Sequence, residues 1–287
     1  MGRERLLIEQ TFEALGIMPT VSSLVRELKE LGVREGMTLL VHSSLYSIGW
    51  VPGGAVAVIH ALQRAVGDSG TLVMPTHTGN LSDPARWQNP PAPESWWERI
   101  REEMPAFDKT ETPVYGMGTI PETFRRMDGV KRSAHPHMSF AAWGKHADDI
   151  VRGHGENPAA LDYGLGENSP LARVYDLDGR VLLIGVGHDS NTSLHLCEYR
   201  ADYEGKSKEV QRAPVIAEGV RKWVQYNELE FDTDDFEALG ADFERERPHS
   251  GDAAAGKLGM AETRLLRQRA LVDYGTGWIA RNRKPRR

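Results

Sequence analysis

Residues 181–199 read VLLIGVGHDSNTSLHLCEY. Val181, Leu182, Leu183 and Ile184 run unbroken into Gly185 and Gly187, the pattern of a short strand buried on both faces. His188 and Asp189 follow at the strand's exit. Asn191 or Thr192 can cap a helix that begins there. On that helix His195 and Glu198 stand three apart and share a face. So much titratable chemistry at the carboxyl edge of an apolar strand is where open α/β sheets place ligands.

The units on either side repeat the theme. MTLLVHSS (37–44) reads as a buried strand, GGAVAVIHALQRAVG (53–67) as a helix and GTLVMPT (70–76) as a second strand, a strand–helix–strand unit with a right-handed parallel crossover. Upstream, Leu24, Val25, Leu28 and Leu31 recur at helical spacing behind a Thr20 cap. MGRERLLIEQTFEALGI carries charge within its apolar pattern, so it reads as an amphipathic helix and not as a signal peptide. The alternation predicts a layered α/β/α sheet. Residues 78–116, rich in proline and carrying three tryptophans, break the pattern and form an insertion. Beyond Arg200 the chain turns to polar strands (APVIAEGVRKWVQYNELEF), an acidic segment (DTDDFEALGADFERE) and a closing stretch, KLGMAETRLLRQRALVDYGTGWIARN, that reads as one or two amphipathic helices. One domain spanning 1–287 is expected, with a smaller C-terminal portion at about 205–287.

The chain has 287 residues and a net charge of −6, which disfavours nucleic acid and mildly favours a cationic ligand. No apolar run reaches the roughly 18 residues of a membrane span. Cys197 is the only cysteine, so an intrachain disulfide and a cysteine-rich zinc site are excluded and a cytoplasmic setting is expected. The terminal RNRKPRR reads as a solvated basic end.

Four stretches carry candidate chemistry. In VHSSLYSIGWVPGG, Ser43 and Ser44 are small and polar, and Gly49, Gly53 and Gly54 let backbone approach a ligand; the helix that starts near Gly54 offers N–H groups to a phosphate or pyrophosphate. An ordinary glycine-rich turn reads the same way, and neither a Walker loop nor a dinucleotide fingerprint is present. In RSAHPHMSFAAWG, His135 and His137 form a His-x-His pair, but two ligands are no metal site, and capping or hydrogen-bonding roles fit as well. In the opening stretch, Glu198 beside His195 can fix its tautomer and stabilise the imidazolium, as a general base requires; a core histidine satisfied by a neighbour is the plainer reading. Cys197 reads as a packing residue. In YNELEFDTDDFE, Glu228 and Glu230 alternate with Leu229 and Phe231, so a strand would put both carboxylates on one face, suited to a polyamine or simply to solvent.

Together, LLVHSSLYSIGWVPGG, GTLVMPTHT, RSAHPHMSFAAWG and SPLARVYDLDGRVLLIGVGHDSNTSLHLCEY resemble the aminoglycoside 3-N-acetyltransferase family, in order and over most of the chain. GVGHDSNTSLHL is the most specific of these motifs. The resemblance implies an α/β fold distinct from that of acetyltransferases with a Q/R-x-x-G-x-G/A loop, which is absent here. It implies transfer of acetyl from acetyl-coenzyme A to an aminoglycoside amine, or to a different amine as some relatives of the fold do, without a metal, by a monomer or homodimer.

Carried over by position, the resemblance makes His195 the general base, supported by Glu198 or Glu230, with His188 nearby. It makes Ser43, Ser44, Leu45, Ile48, Gly49, Val51, Gly53 and Gly54 the coenzyme A cradle, and Thr76, His135 and Ser139 the lining of the pantetheine arm or thioester. Asp83, Asp189, Glu228 and Glu230 become the acids for substrate ammonium groups. A serine hydrolase would need a G-x-S-x-G elbow, which the chain lacks.

Overall fold

The computed structural model describes residues 2–247 and 250–284. Helix α1 (Gly2–Leu15) precedes α2 (Val21–Leu31), whose start is set by a reciprocal cap: Ser23 N donates to Thr20 Oγ1 (3.2 Å) and Thr20 N to Ser23 Oγ (2.9 Å). The leucine stripe behaves as its spacing predicts, with Leu24, Leu28 and Leu31 buried. Next come β1 (Thr38–Ser43), the single turn α3 (Leu45–Ile48), α4 (Gly54–Val66) and β2 (Thr71–Pro75). The region 78–116 holds short turns and α5 (Trp97–Glu103). It is followed by α6 (Thr119–Phe124), β3 (Lys131–Arg132), β4 (Phe140–Gly144), α7 (Ala147–Val151) and α8 (Pro170–Asp176). Then β5 (Arg180–Ile184) leads into α9 (Ser193–Arg200). The chain closes with β6 (Lys208–Ala217), β7 (Val220–Leu229), α10 (Phe236–Glu246), β8 (Ala253–Leu258), β9 (Ala261–Arg267) and α11 (Gln268–Asn282).

Seven strands form one sheet in the order β3-β4-β2-β1-β5-β9-β8. Its centre is parallel, with Leu40 opposite Val73 on one side and Val181 on the other, while β4 and β9 flank it antiparallel. Alternate residues of the central strands feed two cores. Leu39, Val41, Leu72, Leu182 and Ile184 meet α2, α4 and α6; Leu40, Val73, Val181 and Leu183 meet the helices from α7 to α11. The result is the layered α/β/α architecture expected. Among the described residues no helix is long and apolar enough to cross a membrane.

Two expectations change. The first half of the closing segment is no helix: β8 and β9 pair as a hairpin through a Gly259–Met260 turn, Leu258 opposite Ala261, and β9 joins the sheet beside β5. Its register buries Ala261, Thr263 and Leu265 and exposes Glu262, a period of two that the small residues conceal. The C-terminal portion therefore completes the central sheet. The basic end is also not all solvated, because Arg283 is buried; residues 285–287 of RNRKPRR lie outside the described residues.

Strands β6 and β7 form a separate ribbon braced by the region 78–116. Phe107 N donates to Pro214 O (2.9 Å), Arg221 donates to Met104 O and Arg101 O, and the Trp223 indole donates to Arg101 O (2.7 Å).

Candidate active site

The parallel strands β1, β2 and β5 end at one cleft of about 370 Å³. His42 and Ser43 reach it from the end of β1, Pro75 and His77 from β2, and Met117 from the turn before α6. Val186, Asp189, Ser190, Thr192 and His195 reach it from the segment after β5. That segment turns sharply at Gly185, whose φ is +62° and whose missing Cβ would lie 2.3 Å from Ser47 Cβ. Only glycine accommodates both the left-handed backbone and that contact. Of the two caps expected, Thr192 holds the N-cap position of α9 without a side-chain bond, while Asn191 Oδ1, one residue before it, accepts from Ser193 N (3.2 Å); His195 falls in the first turn of the helix.

His195 Nδ1 bonds Glu198 Oε2 at 2.6 Å. A carboxylate only accepts, so Nδ1 carries the hydrogen and Nε2 keeps the lone pair. Phe231 and Phe236 pack on the ring, with centroids 4.4 and 5.1 Å away, and limit its rotation. Glu198 is fully buried, and its Oε1 accepts from Asp232 N (2.9 Å) and Arg283 Nη1 (2.5 Å).

Two further imidazoles share the cleft that sequence reasoning missed. His42 is buried and His77 half-buried; desolvation together with the neighbouring His195 holds both down at about 3, so both stay neutral. Their one legible signal is position, at or just past the ends of buried strands. Of the three rings, His195 has the carboxylate partner. Among the described residues no cluster of His, Cys, Asp or Glu is arranged to hold a metal ion.

The other expected site residues scatter. His188 does not line the cleft: its ring packs on Gly240 and its Nε2 bonds Glu244 (2.7 Å). Glu228 and Glu230 do not share a face, because β7 ends at Leu229. Glu228 is buried, accepting from Gly164 N, Leu229 N and the Tyr199 hydroxyl, whereas Glu230 is exposed and accepts from Ser207 Oγ (2.8 Å). Asp83 is bound by the Arg101 fork at 2.7 to 3.2 Å, which with the Ala85 N–H holds its carboxyl low despite burial. Asp189 is exposed on the cleft rim.

Thr76, Ser139 and His135, expected to line the pantetheine arm, are fully buried and do not line the cleft. Thr76 and Ser139 bond each other (3.0 Å) and the buried Arg132. His135 accepts at Nδ1 from the N–H groups of His137 and Met138 and donates from Nε2 to Leu161 O (3.0 Å). Cys197 is buried, which pushes its thiol far up and leaves it inert.

The glycine turn after β1 divides. Ile48 and Val51 belong to the core, and the half-buried Leu45 packs against it. Ser44 caps α3, accepting from Ser47 N (3.3 Å). Gly49 makes room for Thr11 of α1 and for Met260, since a Cβ there would lie 2.8 Å from Thr11 Oγ1. Thr11 Oγ1 also accepts from Trp50 N (2.8 Å), so α1 covers this part of the turn. Ser43 remains in the cleft, its buried Oγ without a partner among the described residues. Around Gly54 the space is open, and the first turn of α4 has no side-chain cap.

Fold and cleft together define a layered α/β/α protein with a carboxylate-backed imidazole at the carboxyl ends of its parallel strands. Residues 40–280 match the family model described as Aminoglycoside 3-N-acetyltransferase. Among curated relatives, the chain is 48% identical over 92% of its length to a Bacillus subtilis SPbeta prophage-derived aminoglycoside N(3')-acetyltransferase-like protein, YokD, covering 93% of that protein. It is 33% identical to aminoglycoside N(3)-acetyltransferase VII of Streptomyces paromomycinus, over 91% of each. The crystal structure of YokD superposes with a TM-score of 0.89 at 46% identity, covering 96% of this chain and 98% of that one. Similar solved structures include AAC-IIIb with CoASH (TM-score 0.80, 28% identity, 94% and 100% covered) and AAC-VIa bound to sisomicin (0.78, 32%, 92% and 98%). The chain belongs to the aminoglycoside 3-N-acetyltransferase family. It is thereby an acyltransferase, with acetyl-coenzyme A as its co-substrate.

Proposed function

We propose that this enzyme transfers acetyl from acetyl-coenzyme A to the 3-amino group of an aminoglycoside, in the cytoplasm, with His195 as general base for direct attack of the amine on the thioester. The observation that carries the mechanism is the 2.6 Å bond from His195 Nδ1 to Glu198, which leaves Nε2 as the basic nitrogen of a ring lining the cleft. His42 and His77 compete poorly for the proton, because burial keeps them neutral. We read the chain as one domain, with 78–116 as a substrate-side insertion.

Bound acetyl-coenzyme A supplies an activated carbonyl. Ser43, with its unpartnered hydroxyl, and the uncapped first turn of α4 at Gly53 and Gly54 fit its polar and pyrophosphate groups. Asp189 attracts the cationic substrate to the rim. His195 Nε2 takes the amine proton as the N–C bond forms and the C–S bond breaks, and returns it to the departing thiolate. Glu198 stabilises the imidazolium in between. Such a base contributes about 10²–10⁴-fold in rate.

A second reading, acetylation of a smaller amine, is favoured by the scarcity of acids in the cleft: of the four expected, only Asp189 lines it. Thiol release from acetyl-coenzyme A across aminoglycosides and simple amines, with mass spectrometry to locate the acetyl group, separates the two. His195→Ala keeps coenzyme A binding and loses turnover by ~10²–10⁴-fold; undiminished turnover removes His195 from the mechanism.

A further inference from the structure

Arg283 stands one residue beyond α11, in what the sequence presents as a basic tail, yet its side chain is only 4% exposed. Its guanidinium spans three groups. Nη1 donates to Glu198 Oε1 (2.5 Å), Nε and Nη2 donate to the two oxygens of Asp235 (2.8 and 2.5 Å), and Nη2 also donates to Asp232 O (2.9 Å). Tyr203 and Phe236 pack against it, at 5.2 and 6.0 Å from their ring centroids. Phe236 also packs on His195. A buried cation held this way must have compensating charge, and here it comes from Asp235 and from Glu198, the carboxylate that backs the His195 imidazole.

We propose that Arg283 is a positioning residue for acetyl transfer, acting through Glu198 to set both the orientation and the basicity of His195. The proposal rests on His195 being the general base. Glu198 uses Oε2 for the imidazole and Oε1 for Arg283 and the Asp232 N–H. With Oε1 fixed from two sides, the carboxylate plane cannot turn away from Nδ1. Arg283 also draws on the same negative charge that stabilises the imidazolium. Asp235 in turn shares the charge of Arg283, so the three groups form a graded series from Asp235 to His195. A lysine can supply the charge but not the fork. The other titratable groups around this series include Asp232 and Tyr203 beside it, Cys197, Tyr199 and Lys206 near Glu198, and His42 and His77 across the cleft.

The test compares Arg283→Ala, Arg283→Lys, Asp235→Asn and His195→Ala by kcat, KM and the pH dependence of kcat/KM, with circular dichroism for folding. Arg283→Ala lowers kcat by ~10–100-fold, less than the whole contribution of a general base, and changes either KM by less than about 3-fold. Its acid limb of kcat/KM moves to higher pH, because an unshared Glu198 holds the imidazolium more tightly. Arg283→Lys restores the limb but only part of kcat. Asp235→Asn moves the limb to lower pH, because Arg283 then bears wholly on Glu198; this arm decides the matter if Arg283→Ala does not fold. Unmoved limbs in the folded variants, with kcat lowered or not, overturn the proposal. Full turnover by His195→Ala is instead the failure of the general-base reading beneath it.

Discussion

Glu228 offers a test in which the sign of the effect is fixed before the measurement. Its carboxyl is buried at the end of β7 and is reached by Gly164 N (2.9 Å), Leu229 N (2.9 Å) and the Tyr199 hydroxyl, none of which is charged. Burial raises it from the ordinary 4.5 to about 7; Asp162 adds to the rise, and the three hydrogen bonds oppose it. The folded state therefore binds this proton more tightly than the unfolded chain does. Between those two values stability falls as pH rises, and the loss is complete above about pH 7. At about 1.4 kcal/mol per pH unit the full loss is of order 3 kcal/mol, and roughly 2–3 kcal/mol of it falls between pH 5 and 8. Glu228→Gln cannot ionise and keeps an oxygen for the N–H donors. Relative to the parent it gains those ~2–3 kcal/mol on going from pH 5 to pH 8, whatever fixed cost the amide brings. Urea unfolding of both proteins at four pH values measures the difference. A difference that stays constant across that range, within about 0.5 kcal/mol, refutes the reasoning.

Three other outcomes follow from contacts described above. Asp189→Asn raises KM for a polycationic amine by up to ~5-fold, the scale of an exposed charge pair, and leaves KM for acetyl-coenzyme A unchanged; steady-state kinetics with each substrate varied reads both. Gly240→Ala drives a Cβ to within 2.0 Å of the rigid His188 ring and lowers unfolding stability by about 1–3 kcal/mol or more in denaturant titration. Cys197 stays unlabelled by a thiol reagent in the native protein and reacts on unfolding, and Cys197→Ala retains kcat within about 2-fold, since no step uses its sulfur.

The sheet was legible where strands bury both faces, because runs such as LLV and VLLI admit few other readings. The β8–β9 hairpin was hidden because Ala253, Ala254, Ala255 and Ala261 suit a helix as well as a strand and only pairing with β5 decides between them. His195 and Glu198 could be paired from spacing because both lie on one helix. The groups that complete the cleft come from other elements, so beyond its place at or just past a strand end nothing in the local pattern of His42 or His77 announces it. Arg283 reads as solvent-facing because a run of basic residues at a chain end gives no sign of the carboxylates of Asp235 and Glu198, or of the Asp232 carbonyl, that meet it from elsewhere in the fold. Glu228 and Glu230 misled for the converse reason, since the strand stops between them. Asp83 counts as a site acid by resemblance alone until Arg101, eighteen residues on, is seen to occupy it.

The β6–β7 ribbon is tied to the region 78–116 largely by main-chain acceptors at residues 101, 104, 210 and 214, with the Arg86–Glu209 and Arg212–Asp83 ion pairs beside them. Backbone carbonyls are indifferent to which residue bears them, so the seam tolerates wide sequence drift provided its donors persist. The outer contour of the molecule can thus be recut while the end of β1 with His42, the exit of β2 with His77 and the first turn of α9 with His195 keep their spacing.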